Sequence, residues 1–271
     1  MKPRGLASAR GPLVRAAFAG TFALLLAGAP ALATGGLTSV SGYAYGESVD
    51  VTLIGAIHVT SGPLPQAGPI PSTGGSASNS ALSACVGTAC GVLSAGLLSV
   101  ASNGTTGPTG SVSSTASVAT VNALAGLVTG TLVASRCAVD PGGATSGSST
   151  LTTVQVNGIT VASNPGPNTQ LVLLDAGNVA VGHVILNEQA YDSGTNTLTV
   201  NAIHIKLDVA NNSIGSGDIV ISHVECDALP SGPAPVIPEA PLPVLLPVTA
   251  LLILGGGRIV ALALKSAPTG R

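Results

Sequence analysis

Apolar and polar residues alternate along most of the middle of this chain. Val, Ile, Leu and Thr often recur at every second position, which is the pattern of β-strands with one buried face. The predicted strands are Val49–Thr60, Gly91–Ser102, Ser113–Val139, Ser149–Ser163, Asn178–Asp192, Asn196–Ala210 and Gly217–Asp227. Clusters of Gly, Pro, Asn and Asp that favour turns separate several of them, as in Asp140–Gly143 and Asp192–Asn196. We therefore predict an all-β body of antiparallel strands, in the first place a β-sandwich, with a β-solenoid as the alternative.

One predicted strand changes its buried face partway along. Its apolar side chains occupy even-numbered positions from Leu198 to Ala202 and odd-numbered positions from Ile203 to Val209. Such a change indicates either a β-bulge near Asn201–Ala202 or a strand that is buried on both sides for part of its length.

The N-terminus has the three parts of a secretory signal peptide. The basic part contains Lys2, Arg4, Arg10 and Arg15. The apolar segment Ala16–Ala29 follows, and then the small-residue triplet Ala31–Ala33. We predict that residues 1–33 form a signal helix that is cleaved between Ala33 and Thr34, with Ala27–Ala29 as an earlier possible site. The other interpretation is a buried first helix.

The C-terminal part is typical of a spacer followed by an anchor. Residues 231–243 are rich in proline, which favours an extended polyproline stalk. We predict a transmembrane or sorting helix over residues 244–264, in which Pro247 is a suitable first-turn residue. Its apolar run of residues 247–264 spans about 27 Å, which is just short of a typical bilayer core. Arg258 interrupts this run, and Lys265 begins a short tail of residues 265–271.

The cations at the end of the chain indicate its orientation. No acidic residue follows Glu239, so the positive-inside rule predicts a cytoplasmic tail and a β-rich extracellular domain over residues 34–230. The predicted location is the cell surface, anchored in the cytoplasmic membrane or envelope, with the membrane as a partner through the C-terminal helix. A buried core helix is the alternative. The string LPVTA (Leu246–Ala250) also leaves sortase- or exosortase-like processing open.

Charge is distributed unevenly. The chain is 7% charged and 2% aromatic, and the part between its cationic ends holds all 11 acidic residues but only Arg136 and Lys206 as cations. An acidic body repels phosphate backbones, and this one lacks the basic patch and stacking aromatics that nucleic-acid binding requires. We therefore exclude nucleic acid as a partner.

The four cysteines are expected to form two disulfides, because export implies an oxidising compartment. Four cysteines allow three pairings. We favour Cys85–Cys90 across a small loop and Cys137–Cys226 over a long one, because a local pair leaves the distant two for each other. A zinc site is a weaker interpretation, since Cys85 and Cys90 have no second closely spaced pair.

Several short sequence blocks are spread over nearly all of the exported part. They are SGYAYGESVDVTLIG (Ser41–Gly55), SGPLP (Ser61–Pro65) followed by Gly74–Gly75, SRCAVD (Ser135–Asp140), VILNEQ (Val184–Gln189), TVNAIHI (Thr199–Ile205) and VECD (Val224–Asp227). In this order they resemble the actinobacterial choice-of-anchor P family. The resemblance implies a secreted, β-rich surface protein with a C-terminal tail of variable anchoring type and no known catalytic residues. The tail departs from a usual sorting tail, because Arg258, Lys265 and Arg271 are scattered and form no terminal cluster.

The histidines form no recognised motif. All four fall within predicted strands: His58, His183, His204 and His223. His183 with Glu188, or His204 with Asp208, could be drawn as an acid–base or metal pair. Strand residues five apart face opposite sides, however, and residues four apart lie about 13 Å from each other. Only cross-strand pairing could join such groups.

Two further features have competing interpretations. Tyr43 and Tyr45 share a strand face and could stack on sugars, but an aromatic plug at one end of a small-residue core is the preferred interpretation. The serine-rich segment Gly74–Ala84 contains possible nucleophiles without an activating motif, so we interpret it as a flexible loop.

The sequence therefore predicts a non-enzymatic, envelope-anchored cell-surface protein with a structural, adhesive or interaction role. It predicts no catalytic residue, cofactor or metal site, and it does not identify a surface or matrix ligand. The alternative is a secreted hydrolase or a carbohydrate- or ligand-binding module. A concave pocket lined by His183, His204, Glu188 or Asp218 would favour that alternative.

Overall fold

The structure is a computed structural model that describes residues 35–208 and 213–231. The predicted signal helix with its cleavage residues Ala33 and Thr34 lies outside the described residues. So do the predicted transmembrane helix with Pro247, Arg258 and Lys265, and all but the first residue of the proline-rich spacer. Within the described ranges, no helix has the length and apolar character needed to cross a membrane.

Strands dominate the described ranges. They are β1 (Leu37–Leu53), β2 (Ile57–Ala67), β3 (Gly74–Ala81), β4 (Ala84–Val86), β5 (Leu93–Ala95), β6 (Leu98–Thr105), β7 (Ser111–Ala123), β8 (Val128–Val139), β9 (Thr145–Thr152), β10 (Gln155–Val156), β11 (Ile159–Thr160), β12 (Thr169–Leu174), β13 (Ala180–Asp192), β14 (Thr197–Leu207) and β15 (Gly215–Pro230). Two short 3-10 turns, Thr88–Cys90 and Leu124–Gly126, are the other regular elements there. The prediction of an all-β body is confirmed.

Several predicted segments differ from the observed ones. Val49–Thr60 covers parts of β1 and β2, Gly91–Ser102 contains β5 and part of β6, and Ser149–Ser163 covers part of β9 together with β10 and β11. The segment predicted as one strand over Ser113–Val139 is two strands, β7 and β8, which the turn Leu124–Gly126 separates. This turn takes left-handed φ values of 51°, 53° and 99° at three successive residues, which reverses the chain within an apolar sequence. The segment interpreted as a flexible loop contains β3, which pairs along its whole length with β6.

The strands form two sheets. A six-stranded sheet has the order β12-β13-β14-β15-β1-β2, and β15 returns to pair with the first strand of the body. A nine-stranded sheet has the order β11-β10-β8-β7-β5-β4, with β6 joining β3 to β7 and with β9 beside β8. Every pair of described strands is antiparallel, as predicted. Such pairing does not favour the solenoid alternative.

Side chains from both sheets meet in two buried clusters. The large cluster contains mainly Val, Leu and Ile, including Val49, Ile205 and Ile219 from the six-stranded sheet and Val118, Val133 and Leu151 from the other. The small cluster includes Val40, Ala44, Val224 and Cys226 facing Val100, Val112, Ala116 and Cys137. Two antiparallel sheets that share a core are the arrangement expected of a sandwich.

Along a line across the six-stranded sheet, the alternation of buried and exposed side chains shifts by one residue. In β14 both Ala202 and Ile203 are 0% exposed. Their neighbours on this line, Asn187 in β13 and Ser222 in β15, have left-handed φ values of 50° and 61°. The register of β14 is the same on both sides of the line, so no residue is inserted. The predicted change of face is confirmed, but it is a shift of alternation and not a β-bulge.

The nine-stranded sheet has an equivalent line. Thr120 in β7 and Thr153 just after β9 have φ values of 52° and 48°. Thr131 in β8 lies between them in the register, and its Oγ1 is hydrogen-bonded to Thr153 Oγ1 at 2.8 Å. Both sheets therefore shift their alternation of buried and exposed side chains by one residue along such a line. Each sheet thereby keeps apolar side chains on its inner face on both sides of the line.

Both favoured disulfides are present and leave no free cysteine. Cys85 and Cys90 close a local loop beside β4. Cys137 in β8 and Cys226 in β15 lie in the small cluster and join the two sheets covalently over 89 residues of sequence. In the chain-entropy account, a loop of that length restricts the unfolded state by about 4–5 kcal/mol.

Candidate functional site

Among the residues that the structure describes, most titratable and aromatic groups lie on the outer face of the six-stranded sheet. All four histidines and all three tyrosines of the chain lie on strands of this sheet. Most of them are joined to carboxylates or to each other by the contacts described below. We take this face as the candidate site because reactive and recognition groups converge there.

His204 on β14 lies between two carboxylates. Its Nδ1 is 2.7 Å from Glu188 Oε2 on β13, and its Nε2 is 2.9 Å from Asp218 Oδ1 on β15. An ionised carboxylate can only accept a hydrogen bond, so both ring nitrogens donate and the ring is an imidazolium. Burial lowers the pKa of His204, but the hydrogen bonds and charges of Glu188 and Asp218 outweigh it and leave that pKa raised. The hydrogen bond from His204 in turn lowers the pKa of Glu188.

Glu188 also sets the orientation of its neighbours. Asn201 Nδ2 donates to Glu188 Oε2 at 2.6 Å, so the amide oxygen of Asn201 points the other way. That oxygen lies 2.6 Å from His223 Nδ1, which must therefore carry the proton. Burial lowers the pKa of His223 to about 4, so this ring is neutral at pH 7, whereas the pKa of His204 is raised.

Two tyrosines of β1 extend the network into an aromatic group. Tyr45 stacks on His223 with ring centroids 4.2 Å apart and an interplanar angle of 11°. Tyr43 packs against both rings at 5.9 and 6.2 Å, and its hydroxyl donates to Gln66 Oε1 at 2.8 Å. Burial is the main cause that raises the pKa of Tyr45 to about 12. The interpretation of these tyrosines as a plug in the core is wrong, because the inward-facing neighbour is Ala44.

Further close pairs of basic and acidic side chains surround this network. Lys206 Nζ lies 3.5 Å from Asp218 Oδ1, so that one carboxylate contacts two cationic groups. His183 Nδ1 is 3.0 Å from Asp208 Oδ1 near one edge of the sheet. At the other edge, His58 Nε2 is 2.7 Å from Asp50 Oδ1.

The histidine pairs that could be drawn from the sequence are not those that form. His183 contacts Asp208 and not Glu188, whereas His204 contacts Glu188 and not Asp208. The shift of alternation at Asn187 places His183 and Glu188 on the same outer face of the sheet, although they are five residues apart. Cross-strand register then decides the partners, since His183 lies opposite Lys206 and Glu188 lies opposite Asn201. The sequence signal that could have indicated this was the change of face in β14.

The network limits what its central histidine can do chemically. Both nitrogens of His204 are engaged, so it offers no lone pair to activate a nucleophile. The nearby Ser222 lies on the inner side, where its Oγ donates to the carbonyl of Ala116 at 2.9 Å. Within the described ranges, no three His, Cys, Asp or Glu side chains are grouped so that they could hold a metal ion. A cavity of about 530 Å³ lies elsewhere, beside Leu53 and Leu124.

No family model, curated protein or solved structure matches this chain. Its function is therefore inferred from its own residues and their geometry.

Proposed function

We propose that this chain is an exported, non-enzymatic cell-surface protein whose β-sandwich acts through its faces as an adhesive, coat or interaction domain. The observation that carries the proposal is the disulfide between Cys137 and Cys226, which joins the two sheets. Such bonds persist in oxidising compartments outside the cytosol. The outer face of the six-stranded sheet adds a fixed, hydrogen-bonded array of charges and aromatic rings, which suits binding.

The sequence supports the location. A signal peptide over residues 1–33 and a membrane anchor over residues 244–264 would place the β domain outside. The resemblance to the choice-of-anchor P family implies the same location. Arg258 within the apolar run would make the anchor marginal, because an arginine near the bilayer centre costs roughly 2.5 to 3.5 kcal/mol.

Fractionation of cells tests this proposal. Deletion of Leu242–Arg271 should release the β domain into the medium, whereas the full chain should remain in the membrane fraction. Arg258→Leu is the matched variant, and it should strengthen retention by removing the insertion cost. If the full chain keeps its tail by mass and is released as readily as the truncated chain, the surface-attachment proposal is wrong.

A carbohydrate-binding role is the second candidate, and the outward position of the tyrosines favours it. Tyr45 and His223 stack in parallel on an outer face, and aromatic rings so placed can pack on the apolar faces of sugars. Polysaccharide affinity gels would test this role. Tyr45→Ala should abolish retardation, and Tyr191→Ala, which removes an exposed tyrosine elsewhere on the sheet, should not. Equal mobility of both variants and the parent would reject it.

A further inference from the structure

A cavity of about 420 Å³ lies at one edge of the body, where β2 of the six-stranded sheet approaches β3 and β4 of the other. It is on the inner side of β2 and separate from the outer-face network. Its floor includes Glu47 of β1, and its walls include Leu64 and Pro65 of β2 and Leu98 of β6.

Glu47 is an acid in a row of apolar residues. In the register of the sheet it lies opposite Ile221, which lies opposite Ile203, and both isoleucines are fully buried. Glu47 itself is 1% exposed. Its Oε1 accepts a hydrogen bond from Ser61 Oγ at 2.8 Å, but its Oε2 is buried and has no hydrogen-bond partner. A buried carboxylate with an unmatched oxygen is costly, so this atom indicates a missing donor.

The cavity walls combine apolar surface with hydroxyl groups. Leu64 lies opposite Glu47 on the inward side of β2, yet it is 55% exposed, because the space that it faces is open. Ser61 and Ser83 also line the cavity and carry hydroxyl groups. Among the described residues that line it, none is basic, and Cys85 is disulfide-bonded, so Glu47 is the titratable group of the cavity.

We propose that this cavity binds a primary alkylammonium group, with the ammonium donating to Glu47 Oε2 and the alkyl part packing on Leu64, Pro65 and Leu98. An ammonium supplies both the hydrogen bond and the charge that the carboxylate lacks. A single carboxylate does not suit Ca²⁺, which takes six to eight oxygen ligands. The ammonium could belong to a free amine or to the side chain of a lysine, and the two sources share this chemistry.

The test uses the full chain in non-ionic detergent and two probes. n-Butylammonium represents a free amine, and a Gly-Lys-Gly peptide with blocked ends represents a lysine side chain. Titration calorimetry should show saturable binding, and the tighter probe identifies the source. Glu47→Gln keeps the size of the side chain and should weaken binding at least about tenfold, since a charge-assisted hydrogen bond is lost. Asp50→Asn removes an outward carboxylate of the same strand and should leave the affinity unchanged.

The carboxyl carbon signal of Glu47 gives a second readout in the parent chain. Burial raises the pKa of Glu47, and binding of a cation should lower it again. Affinity should therefore rise with pH as Glu47 ionises. The proposal is overturned if neither probe saturates, if n-butanol binds as well as n-butylammonium, or if Glu47→Gln binds as tightly as the parent. These outcomes do not depend on where the protein is located.

Discussion

The outer faces of the two sheets are built on the same antiparallel framework and carry different side chains. On the six-stranded sheet, His204, Glu188, His223 and Tyr45 form a connected network of charges and rings. On the nine-stranded sheet, five neighbouring strands present mainly Ser, Thr and Ala in three rows. From β3 through β6, β7 and β8 to β9, the rows are Ser76-Asn103-Ser113-Ala138-Ser146, Ser78-Ala101-Thr115-Arg136-Ser148 and Ser80-Ser99-Ser117-Ala134-Thr150.

The inner faces, in contrast, resemble each other. Both sheets bury Val, Leu, Ile and Ala, and both shift their alternation along one line so that the inner face stays apolar. The inward pattern thus maintains the fold, and the outward positions are free to differ. The comparison indicates that side chains of the six-stranded sheet should determine both the pH dependence of folding stability and the binding of ligands.

The largest loss of stability is expected from removing the disulfide that joins the two sheets. Replacing Cys137 and Cys226 by alanine should lower the free energy of unfolding by about 4–5 kcal/mol, because the long loop no longer restricts the unfolded chain. The matched variant replaces Cys85 and Cys90 and should cost only about 2 kcal/mol, since that loop is short. Denaturant titration under non-reducing conditions measures both. An equal loss in the two variants would contradict the role of the bond between sheets.

The next largest effect is the loss of folding stability that protonation of His223 should cause at acidic pH. Its pKa of about 4 in the folded protein lies below the ordinary value of 6.5, so the unfolded chain takes up a proton first as the pH falls. The stabilisation is present above pH 6.5 and is lost as the pH falls through about 4, by about 3 kcal/mol in all. Unfolding free energies measured from pH 7 to 4 should therefore fall less steeply for His223→Gln than for the parent. The exposed His58→Gln serves as control, and an identical pH profile for His223→Gln would refute this assignment.

A smaller effect is expected for the pair of His204 and Glu188. The raised pKa of His204 stabilises the fold below about pH 6.5, and the lowered pKa of Glu188 stabilises it above about pH 4.5, so the pair contributes most between these values. Glu188→Gln should cost about 1–2 kcal/mol in that window and lower the pKa of His204, as measured by NMR titration. Asp50→Asn, which breaks an exposed histidine pair, should cost less. An unchanged pKa of His204 would show that Glu188 does not hold its proton.

The smallest effect is expected on the nine-stranded sheet. Thr115 lies in the middle row between Ala101 and Arg136 and faces outward. Thr115→Val keeps the shape and strand propensity of the residue, so the free energy of unfolding should change by no more than about 0.5 kcal/mol at any pH between 4 and 7. Thermal unfolding at several pH values measures this. A marked pH dependence of the change would show that the hydroxyl face is electrostatically coupled to the rest of the molecule.

Several features of this protein could be predicted from local sequence. Period-two alternation located strands such as β13 and β14, because strand side chains point to opposite faces in turn. The short spacing of Cys85 and Cys90 indicated their bond and left Cys137 for Cys226. The change from even to odd apolar positions at Ala202 and Ile203 indicated the shift of alternation. All of these signals lie within a few residues, or follow by elimination.

Other strands had no such local signal. The Ser- and Gly-rich β3 shows no apolar stripe, and it is a strand because β6 supplies partners for its backbone. The apolar sequence through β7 and β8 gave no signal for the turn between them, because this turn depends on left-handed backbone at Leu124 and Ala125. In both cases, hydrogen bonding between distant segments outweighed local propensity.

The tertiary structure alone decided the site. Glu188, His204 and Asp218 lie on three strands, and only their register brings them within hydrogen-bonding distance. Glu47 was one acid among many in the sequence, and it became a buried group beside a cavity because β1 pairs with β15 and β2 and packs against the other sheet. Alternation within one strand specifies which residues share a face, whereas the partners across strands and sheets depend on contacts between residues far apart in sequence, which no local pattern encodes.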